Sequence, residues 1–158
     1  MTAPADPGAR SPRATRVIAL GVAALAAVLV LGYLRDPPWL QHTTSGLRNW
    51  QTASDGTRFR WAGAHASFFV PADAGHVRLP LRTTFNRPGE WPIAVSITVD
   101  DRPAGRVVLA DAAWHESLIR LPGPGGRRVR RIDVRSDRAR EDNHAVQVGE
   151  ITLGAAPK

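Results

Sequence analysis

Residues 92–100 read PIAVSITVD, and this stretch decides the fold class. Ile93, Val95, Ile97 and Val99 alternate with Ala94, Ser96 and Thr98. In an extended chain the branched apolar side chains then fall on one face and the small or polar ones on the other, which is the pattern of a half-buried strand. Asp100 to Gly105 (DDRPAG) reads as a turn, and Arg106–Ala110 returns as the hairpin partner.

The same period of two continues in both directions. Upstream, His76–Thr84 (HVRLPLRTT) places Val77, Leu79 and Leu81 on one face. Pro80 has no ladder donor there, which predicts an edge strand. Ala64–Val70 is a short strand closed by Pro71, and Arg58–Trp61 alternates so that Trp61 shares the face of Phe59, an expected core position. Downstream, Trp114–Leu121 is a strand stopped by the Pro122–Gly126 run. Arg127–Ser136 carries Val129, Ile132 and Val134, and the three-residue step after Val129 predicts a bulge. Ala145–Leu153 closes the series, with a second irregular step between Val148 and Ile151. About eight short strands with turn residues between them, and no helical period, predict an all-β domain over residues 58–154. The expected architecture is an antiparallel, jelly-roll-like β-sandwich.

The N-terminal part is different. Val17–Leu34 (VIALGVAALAAVLVLGYL) is eighteen residues without a charge. As an α-helix it would span about 27 Å, close to the hydrocarbon core of a bilayer. Arg10, Arg13 and Arg16 precede it with only Asp6 opposing, whereas Arg35 stands beside Asp36 on the far flank. The positive-inside rule then puts the N-terminus in the cytoplasm and the C-terminal domain outside it. A cleaved signal peptide has a similar basic and apolar profile, but no small-x-small site follows the run. A soluble helix rarely lacks polar residues on every face. The expected organisation is a disordered cytoplasmic tail (1–16), a single-pass signal-anchor helix (17–35) in the cytoplasmic membrane, a juxtamembrane linker (36–57) opened by Pro37-Pro38, and the sandwich.

Composition narrows the function. The chain has 158 residues and no cysteine, so disulfides, thiolate zinc sites and a cysteine nucleophile are excluded. Four arginines of the +7 charge flank the apolar run; from Asp36 onward, 16 arginines and Lys158 face 13 acids, a net of +4. Nucleic acid is not an expected partner beyond a membrane, and basicity alone is weak evidence for a polyanion. His42, His65, His76, His115 and His144 form no HExxH motif, and GxSxG, P-loop and dinucleotide fingerprints are absent. Asp73 and Asp100-Asp101 read as turn residues more simply than as calcium ligands. No enzyme activity, cofactor or metal is expected.

The order of elements resembles a known group. A Phe59-Arg60-Trp61-Ala62 phrase is followed by the strand Ala66–Val70, a strand like Val77–Leu81, and a long strand with a polar turn, Ile93–Gly105. A Trp-initiated strand ending in Leu-Pro (Trp114–Pro122), a basic strand (Val129–Ser136) and a closing strand (Val148–Leu153) complete it. This is similar to the small jelly-roll, carbohydrate-binding-module-like domains on bacterial membrane proteins of polysaccharide and cell-envelope biosynthesis. Arg140–His144 departs from the Asp-x-Arg pattern of that group. The resemblance implies a non-catalytic accessory module that binds a glycan or a membrane glycosyltransferase.

Two sets of residues are candidates for contact. Trp91, Trp114 and Trp50 offer indole faces that stack on sugar C–H surfaces, Trp91 being the best exposed on sequence grounds because it follows Pro88-Gly89-Glu90. Arg127, Arg128, Arg130, Arg131 and Arg135 form the densest charge, suited to an anionic partner because guanidinium binds carboxylate and phosphate in a bidentate manner. A charged outer face that keeps the sheet soluble and blocks edge pairing is the favoured reading of the same arginines. The competing function is a structural subunit that docks another envelope protein through its sheet edge and arginine face, without sugar.

Overall fold

The computed structural model describes residues 12–85, 87, 89–123 and 126–155. The chain divides into two compact units, residues 1–38 and 39–158. The first contains helix α1, Pro12–Arg35, 24 residues and so about 36 Å long. It is apolar and long enough to cross a membrane, as an anchor or a signal sequence does, and none of its apolar window is buried. Residues 12–16, read as part of a disordered tail, are helical: proline is tolerated in a first turn and arginine is a good helix former. The rest of that tail lies outside the described residues.

The second unit is all-β and wholly antiparallel, with nine strands among the described residues. They are β1 (Thr44–Thr52), β2 (Arg58–Pro71), β3 (Ala74–Thr83), β4 (Ile93–Val99), β5 (Arg102–Leu109), β6 (His115–Arg120), β7 (Val129–Ser136), β8 (Val146–Gly149) and β9 (Thr152–Ala155). Strand β2, 14 residues long, organises the rest. One of its sides is paired with β1. The other side pairs first with β8, at residues 59–62, and then with β7, at residues 65–71. Beyond β7 lie β4 and β5; beyond β8 lie β3 and β6. The curled sheet therefore forks along β2 into two layers. The apolar rows of both face each other: Val95, Ile97, Val99, Ile132 and Val134 from one, Val77, Leu79, Leu81, Val146 and Val148 from the other. The inward row read from PIAVSITVD is buried as expected, Ile93, Val95, Ile97 and Val99 being at most 2% exposed.

Several local expectations are corrected. The 36–57 linker contains β1, because residues 44–52 find a partner along the whole outer side of β2. Gly46 makes that pairing possible at a bulge: its φ is +68°, and a Cβ there would lie 2.1 Å from the His65 carbonyl oxygen. Strand β3 is interior, not an edge. Pro80 is tolerated because its missing N–H falls where β8 gives way to β9, between the pairs Leu81–Val148 and Arg78–Thr152. That transition is also the irregular step expected after Val148.

The bulge expected at Val129–Ile132 does not exist. Strand β7 pairs with β2 in unbroken register, and Arg130 takes the inward position in the row with Ile132 and Val134, 8% exposed. The β4–β5 turn is two residues, Asp100-Asp101, rather than six; both have positive φ (48° and 66°), the geometry that matches strand twist in a tight hairpin.

Candidate functional site

The outer face of the β2–β8–β3 layer carries an aromatic and polar row. Odd-numbered residues at the start of β2 point away from the core, so Phe59 and Trp61 sit on this outer face. Trp61 lies opposite Gln147 of β8, which in turn lies opposite Arg82 of β3. Trp61 was expected in the core. Its indole N–H instead donates to Gln51 Oε1 of β1 at 2.9 Å, Phe59 meets it edge-on at 5.5 Å, and His144 lies 4.9 Å away, tilted by 31°. On the other side of Phe59, 6.5 Å away, is the ring of Trp114, with the Arg82 guanidinium 5.9 Å above it.

Three adjoining hollows of about 480, 260 and 240 Å³ open along this face. Trp61, Arg82, Thr84, Phe85 and Gln147 line the middle one, and Arg87, Glu90, Arg140, Glu141, Asp142 and His144 extend it. The walls come from two connections. The β3–β4 connection is pinned by the Trp91 indole, which donates to the Phe85 carbonyl at 3.1 Å, and by Arg138, which donates to the carbonyls of Glu90 and Pro92. The β7–β8 connection is pinned by Ala145 N–H to the Ala62 carbonyl at 2.8 Å. The His144 amide donates to Asp142 and, with the His144 ring, holds that carboxyl below its usual range.

Polar capacity is left unspent here. Among the described residues, Gln147 Oε1 and Trp114 Nε1 are buried side-chain atoms without a hydrogen-bond partner. Buried polar atoms of that kind are rare, and an ordered water is the simplest group that would satisfy them. Ring faces beside mixed donors and acceptors suit a neutral or weakly charged polyhydroxyl ligand: C–H surfaces stack on the rings and hydroxyls bridge the polar groups. Among the described residues no three His, Asp or Glu side chains converge as a metal site would require.

The three sequence-predicted tryptophans do not share this face. Trp114 is on it. Trp91, half-buried, supports the wall from behind, and its peptide bond to Pro92 is cis. Trp50 pairs with Arg60 across the β1–β2 ladder and so lies on the opposite face from Trp61; Arg58 and Arg60 stand 5.1 and 5.6 Å from its ring. Sequence reasoning weighed Trp61 with the other tryptophans but assigned it to the core, and missed Gln147, Arg82 and Phe85. The signal available was the odd-residue row beginning at Phe59, out of phase with Ala62, Ala66 and Phe68.

The arginine set is also divided. Arg131 and Arg135 are on the outer face of the other layer, where Arg131 Nε donates to Asp133 at 3.0 Å and His65 Nε2 lies 3.0 Å from the same carboxylate. Arg130 points inward to Asp100 at 2.8 Å, Arg127 lies near that pair, and the Arg128 carbonyl accepts the Ala72 N–H at 2.8 Å.

No protein family matches the sequence. No curated protein matches it either. Among solved structures the chain is similar to carbohydrate-binding modules and carbohydrate-active enzymes. One is a family two carbohydrate esterase from Clostridium thermocellum in complex with cellohexaose: 12% identity, 73% of this chain, 34% of that chain, TM-score 0.45. Another is a family two carbohydrate esterase from Cellvibrio japonicus, with 12% identity over 73% of this chain and 33% of that one, TM-score 0.45. A third is the CBM36-1 domain of a multidomain xylanase from the hindgut metagenome of Trinervitermes trinervoides: 14% identity, 73% of this chain, 92% of that domain, TM-score 0.43. The chain spans about a third of the length of the esterases.

Proposed function

We propose that the β-domain is a non-catalytic glycan-binding module, held at a membrane by α1, that serves as an accessory to envelope polysaccharide or glycolipid assembly. The observation that carries the reading is the row Trp61–Gln147–Arg82 with Trp114. It sets ring surfaces and unspent hydrogen-bonding groups together near the three adjoining hollows. Arg13 and Arg16 at the start of α1 support a cytoplasmic N-terminus and an extracytoplasmic domain. A membrane glycosyltransferase would be the natural partner for a module that holds a growing or finished chain.

The test is glycan-array binding of the full chain in detergent, followed by titration of each hit by tryptophan fluorescence. Saturable binding that falls at least about 10-fold in both Trp61→Ala and Trp114→Ala supports the site, since losing one aromatic platform costs roughly 1–3 kcal/mol. Absence of saturable binding to every neutral and acidic glycan defeats it.

One observation favours the second reading, docking to another envelope protein. Strand β1 pairs only with β2 among the described strands and is exposed at every position but Leu47, so its outer edge is open to strand addition. Cross-linking at Arg48 or Gln51 to a membrane protein, in the absence of any glycan hit, would favour it.

A further inference from the structure

A second cavity, of about 630 Å³, opens at the other end of β2 and of the other layer. Eight residues separate Trp61 from Phe69, which lines it, up to about 26 Å of extended strand. Its walls are the β4–β5 turn, the start of β7 and the chain after β6. Arg102, Arg127, Arg130 and Arg131 face Asp100 and Asp101, with Phe69, Val99 and Pro122 as the apolar part.

Both carboxylates are already engaged. Asp100 accepts from Arg130 Nη1 at 2.8 Å and from the Arg131 amide at 3.1 Å, and Asp101 accepts from Arg131 Nη2. Arg131 is held by Asp133 as well as Asp101, so the four arginines outnumber the carboxylates that engage them, Asp100, Asp101 and Asp133, by one. The Arg102 and Arg127 side chains are exposed; Arg102 is tied to Val99 through the β4–β5 ladder, and Arg127 acts on Asp100 through its charge. Arg130, 8% exposed, also donates to the Gly123 carbonyl but leaves its Nε–H buried and without a partner. A guanidinium that is itself mostly removed from water interacts with an anion more strongly than a fully exposed arginine does.

We propose that this cavity is a binding site for an oxyanion, a carboxylate or phosphate monoester carried by a small sugar or solute. Arg102 and Arg127 provide the approaching guanidinium forks, Arg130 the fixed charge beneath, and Phe69 and Pro122 the surface for the carbon skeleton. Asp100 and Asp101 hold Arg130 and Arg131 in place, and the positive charge that remains decides the ligand's sign. The proposal does not depend on the aromatic row, because neither cavity lining contains a residue of the other.

The test is titration of the full chain in detergent at low salt with trigalacturonate, glucose 1-phosphate, inorganic phosphate and, as the neutral arm, maltotriose. Each is read by calorimetry in wild type and in the double variant Arg102→Ala/Arg127→Ala. These two side chains are exposed and leave the Arg130–Asp100 pair intact, so a folded variant is expected and is checked by circular dichroism. The expected result is saturable binding of at least one anion that weakens about 10-fold or more in the double variant, the loss expected for hydrogen bonds to a charged group. It should also weaken on raising salt from 20 to 300 mM, roughly as screening of exposed charges requires. Binding of trigalacturonate alone assigns a carboxylate ligand; binding of both phosphates assigns a phosphate. No saturable anion binding by wild type, or equal binding by the double variant, overturns the proposal. The maltotriose arm reports separately on the aromatic row.

Discussion

The indole of Trp114 rests on Gly149. A Cβ built at Gly149 would stand 3.0 Å from Pro80 Cβ, a tight approach, and 3.5 Å from Trp114 Cζ3, an ordinary contact, so the bare backbone of β8 makes room chiefly for the proline while the ring lies beside it. In Gly149→Val the branched side chain has no room, and overpacking of this kind costs about 1–3 kcal/mol. We expect a lower Tm and an altered tryptophan emission spectrum, with the fold retained. A variant with unchanged spectrum and unchanged Tm would show that Trp114 does not sit on Gly149.

Trp50 provides a control for the site. It is 45% exposed and on the opposite face from Trp61, flanked by Arg58 and Arg60. Trp50→Ala is expected to leave glycan affinity within about 2-fold of wild type, while Trp61→Ala loses at least about 10-fold, the difference between a remote and a contacting aromatic. Parallel fluorescence titrations decide it. Loss in Trp50→Ala alone would move the site to the β1 face.

The Arg138 guanidinium makes two bonds, at 2.8 and 2.9 Å, to the Glu90 and Pro92 carbonyls and lies 5.9 Å from the Phe85 ring. It ties the β7–β8 connection to the β3–β4 connection that forms the wall of the hollow. Arg138→Ala should lower global stability by only about 1 kcal/mol, the net worth of such exposed bonds. It should speed amide exchange around residues 89–91 much more than in β2 or β4. Uniform acceleration across the sheet would contradict this local role.

What the sequence made legible was whatever a single strand determines by itself. The alternation from Ile93 to Val99 needs no knowledge of neighbours, and its burial follows. Features that depend on a partner strand were not legible. Pro80 suggests an edge until the break between β8 and β9 is known to lie opposite it. Arg130 interrupts an apolar row, so the row looked like a bulge until Asp100, thirty residues away, supplied a partner. Trp61 looked like core because large aromatics usually are, but the phase of β2 relative to Ala62 and Ala66 turns it outward. The residues of the hollows come from three strands and three connections, and no local pattern brings them together.

The Asp100–Arg130 pair makes the domain's acid sensitivity predictable. Burial pushes the Asp100 carboxyl up, but the Arg131 amide, Arg130 and Arg127 more than offset that and hold it below its ordinary value. The folded state therefore binds this proton less readily than the unfolded chain, whose aspartates titrate near about 3.9. The pair's contribution is fully present above about pH 5 and is lost as pH falls through the lowered folded value. Asp100→Asn keeps a side chain that tolerates the φ of +48° while removing the charge. With Arg130 and Asp100 side chains 10% and 20% exposed, the substitution should cost about 2 kcal/mol at pH 7, less than the loss for a fully buried pair. Because the wild type loses the same interaction on protonation, the Tm gap between the two proteins should narrow steadily as pH falls below about 5 and through the lowered folded value. Thermal melts of both full chains in detergent across that range measure it. A gap that stays constant with pH would mean that the Asp100 charge does not stabilise the fold, and that the hairpin turn is held by its backbone alone.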